Sequence, residues 1–102
     1  MLTSVDADVI RVLGDPLRLK IVTLLARETL CTTHLVEETG AKQTNLSNHM
    51  KVLREAGLVD TEPCGRYTYY KLRPEVLAGL SERFVALAAA ARTAAENKRA
   101  CP

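Results

Sequence analysis

The chain has 102 residues, of which 47% are hydrophobic and 25% are charged, so residues 1–102 are expected to form one small domain with one core. The formal net charge of +2 neither demands nor excludes nucleic acid as a partner. No apolar run approaches the roughly 20 residues that a membrane span needs, and MLTSVDADVI lacks the basic head and apolar stretch of a secretory signal. We therefore expect a cytoplasmic protein without a membrane partner. Its three cysteines, an odd number, argue against a disulfide framework.

The N-terminal third of the chain predicts two helices. Ser4 is the expected cap of a weak amphipathic segment, and Asp15-Pro16 is typical of a helix start, because Asp caps free N–H groups and Pro has no N–H to leave unpaired. The second helix is expected to end near Ala26. The apolar residues that recur at helical spacing in the two segments are Val5, Val9, Val12, Leu17, Ile21, Leu24 and Leu25.

The next two predicted helices are each ended by a glycine. Thr32 and Thr33 are the expected caps of a short helix that Gly40 stops, and another helix begins near Gln43 and stops at Gly57. The buried stripe of this later helix is Leu46, Met50 and Leu53. Two helices joined by about three residues predict a helix-turn-helix.

Two segments rich in β-formers follow, at residues 58–62 and 67–72. Residues 63–66 between them are expected to form the turn of a hairpin. Because side chains alternate along a strand, only one of Tyr69 and Tyr70 is expected to pack inward.

Arg73-Pro74 opens a last, alanine-rich helix. Small residues let two helices approach closely, so we expect this helix to form a dimer seam, and folding onto its own core is the alternative. Its predicted inner face consists of Leu77, Leu80, Phe84, Leu87 and Ala91.

Positive charge is concentrated in the second helix of the pair and in the hairpin. Residues 41–73 carry six basic and three acidic side chains, whereas residues 1–40 carry four basic and six acidic ones. Polar residues crowd the start of that helix, where Asn and Gln can pair with adenine in the major groove. A merely solvated helix face is the alternative for Lys51 and Arg54. The candidate DNA-binding residues are Lys42, Gln43, Thr44, Asn45, Ser47, Asn48, Lys51, Arg54, Arg66 and Tyr67.

Three segments, LGDPLRLKIVTLL, TNLSNHMKVLREAGLV and GRYTYYKL, closely resemble the arsenic-repressor (ArsR/SmtB) family of winged-helix metal-sensing repressors. The resemblance implies a mainly α fold with a small β-hairpin, in the order α-α-α-α-β-β-α. It also implies a homodimer, joined by its first and last helices, that leaves its operator when a metal or metalloid ion binds. His49 matches the family's histidine in the recognition helix, which is structural or close to DNA and not a metal ligand, so the resemblance adds His49 to the DNA-binding candidates. No catalytic constellation is visible, so we do not expect an enzyme.

The resemblance extends only in part to the family's sensing sites. Arsenic and cadmium sensors carry Leu-Cys-x-Cys-x-x-Cys at the start of the helix before the recognition helix. Here Cys31 matches the first cysteine, but Thr33 and Val36 stand in place of the other two. Zinc-type sensors use His and Asp in the last helix, and residues 75–97 contain no His.

The remaining cysteines leave several hypotheses open. Cys101 lies in a tail that can reach a partner subunit, so one hypothesis is a metal site of Cys31 and Cys101 with a third sulfur or His34. Cys64 is the third candidate ligand, but it lies in the hairpin turn, which should be remote from the tail of the same chain. Soft thiolates favour As(III), Cd(II), Cu(I) or Zn(II) over hard cations, and arsenite or Cd(II) is the inducer that we expect. The alternatives are a redox or persulfide switch, inert cysteines and a solvated His34, and a DNA-binding module without an inducer.

Overall fold

The computed structural model describes residues 1–102 as five helices and three short strands. The helices are α1 (Ser4–Leu13), α2 (Pro16–Leu25), α3 (Thr32–Thr39), α4 (Gln43–Glu55) and α5 (Pro74–Ala94). The strands are β1 (Leu30–Cys31), β2 (Val59–Cys64) and β3 (Tyr67–Leu72). A mainly α winged helix-turn-helix is confirmed. The predicted element order is wrong in one place, because β1 precedes α3.

The first two helices begin at capped ends. The N–H of Arg18 donates to the Asp15 carboxylate at 3.0 Å, and Pro16 occupies the first turn of α2, as predicted. The cap of α1 is Thr3 and not Ser4. The Asp6 N–H donates to Thr3 Oγ1 at 3.2 Å, and the Thr3 N–H donates to Asp6 Oδ2 at 2.9 Å. Asp6 at the third helical position makes this reciprocal capping possible.

The helix-turn-helix is formed by α3 and α4, with three residues between them. Gly40 and Gly57 end these helices with φ of 71° and 75°, the left-handed conformation that glycine adopts without a Cβ penalty. The expected caps Thr32 and Thr33 are wrong, because Cys31 precedes the first turn of α3. Pairing of β1 with β3 holds Cys31 extended, so the helix starts immediately after it.

The sheet has three antiparallel strands in the order β1-β3-β2. The predicted four-residue turn is wrong, because Cys64 pairs with Tyr67 and leaves only Gly65 and Arg66 to connect the strands. Gly65 has φ of 62°, as a two-residue turn with glycine first requires. Pro63 is tolerated in β2 because this strand lies at the sheet edge, where a missing N–H breaks no second ladder.

One core joins the helices to the sheet. Leu46, Met50 and Leu53 of α4 are buried in it, as predicted. The two tyrosines lie on opposite faces of β3. Tyr70 packs against the core, while Tyr69 meets His34 edge to face, with 5.8 Å between ring centroids. The remaining core residues are Val9, Val12, Ile21, Val22, Leu25, Leu30, Leu35, Leu58, Val59 and Leu80.

Only the first half of α5 packs on this core. Leu80 is buried and Leu77 is half-buried, but every residue of the helix from Phe84 onward is exposed. The molecule is consequently elongated, with extents of 63 × 23 × 21 Å. None of its helices combines the length and the apolar character needed to span a membrane.

Candidate nucleic-acid interface

One face of α4 is apolar and buried, and the opposite face is polar and exposed. Leu46, Met50 and Leu53 recur every three or four residues and turn toward the core. This packing leaves the intervening side chains in solvent. The exposed candidates on and beside this helix are Lys42, Gln43, Thr44, Asn45, Ser47, Asn48, Lys51 and Arg54.

The N-terminal end of α4 has no side-chain cap. Lys42 occupies the cap position, and its side chain has no acceptor for the N–H groups of the first turn. The first N–H groups of a helix have no partner within it and carry partial positive charge. With Gln43, Thr44 and Asn45 exposed around them, these groups favour an anionic partner such as a phosphate.

Ion pairing divides the basic residues of this region into two groups. Lys71 Nζ lies 3.1 Å from Glu62, and Arg73 Nε lies 2.9 Å from Glu75 and 3.7 Å from Asp60. Glu75 and Asp60 raise the pKa of Arg73, whereas the pKa of Glu75 is lowered by a hydrogen bond from its own backbone N–H and by the hydrogen bond from Arg73. The other basic residues of segment 41–73 form no ion pair. These residues are Lys42, Lys51, Arg54 and Arg66. Unpaired positive charge therefore lies on α4 and at the tip of the hairpin.

The hairpin projects its tip into solvent. Arg66 lies in the turn itself, and Tyr67 beside it is 53% exposed. An exposed arginine next to an exposed aromatic ring suits the sugar-phosphate backbone or a minor groove.

His49 differs from the other candidates because it is half-buried. Its Nδ1 lies 3.1 Å from Nη1 of Arg18, at the start of α2. The Arg18 guanidinium also donates through Nε to the Val12 carbonyl at 2.7 Å. Sequence reasoning missed Arg18, because its partner His49 is 31 positions away and no local pattern links them.

A second link missed from the sequence joins α1 to α5. Arg83 Nη2 donates to Asp6 Oδ1 at 2.5 Å, and the Asp6 side chain is only 4% exposed. This contact, with the N–H of Thr3, holds the pKa of Asp6 below its ordinary value, although burial opposes the shift. The two residues are 77 positions apart, so no sequence spacing indicates the pair.

The three cysteines occupy different environments and are all free thiols. Cys31 is buried at the start of α3, where its backbone N–H donates to Nδ1 of His34 at 3.2 Å. Cys64 in β2 and Cys101 in the C-terminal tail are exposed. Within one chain, no three His, Cys, Asp or Glu side chains come together as metal ligands.

A shallow pocket of about 360 Å³ lies beside Cys31, between α3 and β3. Its remaining lining residues are Thr33, His34, Glu37, Tyr67 and Tyr69. Thr33 thus faces the pocket at the position where the resembling sensors carry a second cysteine. A single chain supplies this pocket with one thiol, fewer than a soft ion needs for tight binding.

The sequence is similar to those of known bacterial regulatory proteins. Residues 15–61 match the family described as bacterial regulatory protein, arsR family. The chain is 38% identical over 69 residues to the arsenic resistance transcriptional regulator ArsR1 of Pseudomonas putida, and the match covers 67% of this chain and 54% of that protein. It is 37% identical over 71 residues to the arsenical resistance operon repressor of Bacillus subtilis, covering 69% and 68%. The chain thus spans about half the length of the Pseudomonas relative.

A solved structure supports the same fold. The ArsR-like transcriptional regulator from Rhodococcus sp. RHA1 superposes with a TM-score of 0.80 at 24% identity, covering 90% of this chain and 89% of that one. The matched segment of the sequence runs from the Asp15 cap through α4 into β2 and so contains the whole helix-turn-helix. The family match and the Bacillus relative together show that the chain belongs to the arsR family of bacterial regulatory proteins, which are DNA-binding transcriptional regulators and not enzymes.

Proposed function

We propose that this protein is a homodimeric repressor that binds two-fold symmetric operator DNA through α4 and the hairpin. One observation carries the proposal: the exposed face of α4 is polar and basic, and no other element of the chain covers it. The N-terminal half of such a helix is where base contacts occur in helix-turn-helix proteins.

The chemistry of the exposed side chains assigns them to two kinds of DNA contact. We assign the major groove to α4, since amides and hydroxyls read base edges there, and these residues are Gln43, Thr44, Asn45, Ser47, Asn48 and Lys51. Arg54, Arg66 and Tyr67 are assigned to the backbone beside the groove, where unpaired positive charge binds phosphate.

The proposed dimer seam consists of α1 and the exposed half of α5. Val5 and Val85 are 68% and 64% exposed, and Leu87 and Phe84 are 50% and 44% exposed. Apolar side chains in such a series on two helices favour burial against a second copy. The symmetric pair would present its two α4 helices to successive turns of DNA.

The proposed inducer is a thiophilic metal or metalloid ion, with arsenite or Cd(II) favoured. The names of the Pseudomonas and Bacillus relatives refer to arsenic resistance, and Cys31 opens onto the pocket beside α3. Because one chain supplies a single thiol there, we place Cys101 of a second copy as the next ligand and Cys64 as a further candidate. Exposure of Cys101 in the tail is compatible with this reach.

Operator binding is tested by selecting tight sites from random duplex DNA with the purified dimer. The selected duplex and a scrambled one are then titrated by fluorescence anisotropy at several salt concentrations. We expect a palindromic site that binds at least about 10³-fold more tightly than the scrambled duplex. Enrichment of no sequence would overturn the proposal.

The inducer is tested on the reduced dimer bound to its selected site. Arsenite, Cd(II), Zn(II), peroxide and polysulfide are added separately, and release is followed by anisotropy. We expect release by arsenite or Cd(II), and its loss in Cys31→Ser, with Asn97→Ser in the exposed C-terminal segment as the control. Release of Cys31→Ser at the native concentration would contradict the site. Release by oxidant alone would identify a redox switch instead, and no release would identify a module without an inducer.

A further inference from the structure

We propose that Arg18 is a positioning residue that sets the orientation of α4 on DNA by holding His49. This inference rests on the proposed DNA-binding function and adds to it a residue that lies on another helix. Arg18 is half-buried at the start of α2 and is not among the exposed candidates for DNA contact.

The Arg18 side chain joins three helices. Its Nε donates to the carbonyl of Val12, in the last turn of α1, at 2.7 Å. Its Nη1 lies 3.1 Å from Nδ1 of His49 in α4. The backbone N–H of Arg18 donates to the carboxylate of Asp15, the cap of α2, at 3.0 Å. This hydrogen bond holds the pKa of the Asp15 carboxyl below its ordinary value. One side chain therefore connects the proposed dimer seam to the proposed recognition helix.

The chemistry of the two side chains determines which of them donates the hydrogen bond between Arg18 and His49. A guanidinium has five N–H donors and no acceptor, so His49 Nδ1 must be the acceptor. The ring proton of neutral His49 is then on Nε2. Lysine cannot replace arginine here, because one ammonium does not reproduce the planar fork that reaches a carbonyl and an imidazole together.

No other side-chain hydrogen bond and no ion pair holds α4 against the other helices and strands. Among side-chain hydrogen bonds and ion pairs, the link from Arg18 to His49 is the only one between α4 and another helix or strand. The other attachment is apolar packing through Leu46, Met50 and Leu53. Apolar packing turns the stripe of α4 toward the core but is itself non-directional, and the hydrogen bond at His49 adds a contact of defined direction and length.

A small rotation of α4 is enough to disturb base readout. Side-chain atoms about 6 Å from the helix axis move by about 1 Å when the helix rotates by about 10°. Hydrogen bonds to base edges occupy a window of only about 0.5 Å in donor–acceptor distance. His49 immediately follows Asn48 and lies one turn after Asn45, so a bond at His49 controls the side chains assigned to base contacts.

The first test uses two variants to distinguish the hydrogen-bond acceptor of His49 from the bulk of its ring. His49→Phe keeps a ring without an acceptor, and His49→Asn keeps an oxygen near the position of Nδ1 without the ring. Affinities for the selected operator and for a scrambled duplex are measured for both variants. We expect His49→Phe to lose about tenfold on the operator only, the cost of one hydrogen bond to a charged group. His49→Asn should stay within about threefold of the native protein on both duplexes.

The same link is tested from its other end, independently of whether His49→Phe folds. Arg18→Lys should lose operator affinity to a similar extent, while Arg27→Lys, an exposed change in the turn after α2, should lose none. The double variant Arg18→Lys/His49→Phe should be no weaker on the operator than the weaker single variant, because both remove one interaction. Thermal melts verify that each variant is folded.

The outcomes distinguish this inference from the proposed function. If the native protein selects no operator, the proposed function itself fails. If it selects one and Arg18 and His49 contribute independently, with additive losses, His49 contacts DNA directly and the positioning role is overturned. Equal losses in His49→Asn and His49→Phe, or losses equal on operator and scrambled DNA, would overturn it as well.

Discussion

The exposed side chains of α4 differ in the information that they can read from DNA. Asn48 presents an amide that pairs with a base edge, whereas Lys51 presents only a charge. We expect Asn48→Ala to lose about 1–3 kcal/mol on the selected operator and little on scrambled DNA. Lys51→Ala should weaken both and lower the salt slope by about one. Anisotropy titrations over a range of salt concentrations measure both quantities, and normal operator binding by Asn48→Ala would contradict the placement of α4.

The buried ion pair of Asp6 and Arg83 predicts a pH-dependent stability. Because the folded pKa of Asp6 lies below its ordinary value of 3.8, its contribution is complete above that value and is lost as the pH falls through the folded pKa. Asp6→Asn should therefore destabilise the protein most at neutral pH, and the difference from the native protein should shrink below about pH 4. Urea unfolding between pH 7 and 3 measures this.

Asp8 provides the control for that measurement. Its carboxylate is 3.7 Å from Arg11, but both side chains are about two-thirds or more exposed, so the pair contributes little. Asp8→Asn should change the free energy of unfolding slightly and similarly at every pH. A constant deficit of Asp6→Asn from pH 7 to 3 would show that the ion pair is not the cause.

Contacts between single residues that are distant in the chain could not be predicted from the sequence, whereas local ones could. The apolar stripe of α4, the cap at Asp15 and the helix start at Pro16 were predictable, because spacing and local chemistry determine them within one turn. Arg18 and Arg83 were not, because their partners lie 31 and 77 positions away and only folding brings them together. Nothing in the local sequence distinguishes Arg18 from an ordinary exposed arginine of a helix.

At the scale of elements, the turn between α3 and α4 depends on Gly40. Its φ of 71° is unfavourable for a residue with a Cβ, although no atom lies within 4 Å of where that Cβ would be. Gly40→Ala should therefore cost about 1 kcal/mol through backbone strain alone, whereas Gly40→Asn should cost less, because Asn tolerates this conformation. Urea unfolding compares the two variants. Equal stability of Gly40→Ala and the native protein would show that the turn relaxes.

The sheet illustrates which elements local patterns predict. Glycine stops and β-rich runs indicated α3, α4 and both strands of the hairpin. The two residues of β1 are too few for alternation to be recognised, and their partner β3 lies far along the chain. The turn was predicted too long because Pro63 and Gly65 together suggest a loop, whereas Pro63 is accommodated in an edge strand.

At the scale of the whole molecule, the exposed apolar half of α5 predicts that a charged substitution there converts the dimer to a monomer. Leu87 is 50% exposed and far from the core, so Leu87→Glu should leave the fold of one chain intact but weaken the dimer. Ala89 lies on the opposite face of the same helix, about 200° away at 100° per residue, so Ala89→Glu is the control. Sedimentation velocity measures the oligomeric state, and a dimeric Leu87→Glu protein would contradict this seam.

The loss of the dimer should also appear in DNA binding. A dimer contacts two half-sites at once, and a monomer contacts one. We expect Leu87→Glu to bind a single half-site as the native protein does but to lose its advantage on the full palindrome. Retained preference for the palindrome would mean that α4 reads both half-sites without this seam.

Local patterns in the sequence were enough to predict which segments are helices, where most of these helices start and stop, and that a polar, basic helix follows a short turn. These properties depend on neighbours within a few residues, so capping, glycine conformation and apolar spacing report them directly. Three features became visible only in the tertiary structure. The strand β1 adds a third strand to the sheet, Arg18 and Asp6 join distant helices, and the second half of α5 extends beyond the core. These depend on contacts between distant segments, whose positions are set by packing of the whole chain and not by local preference.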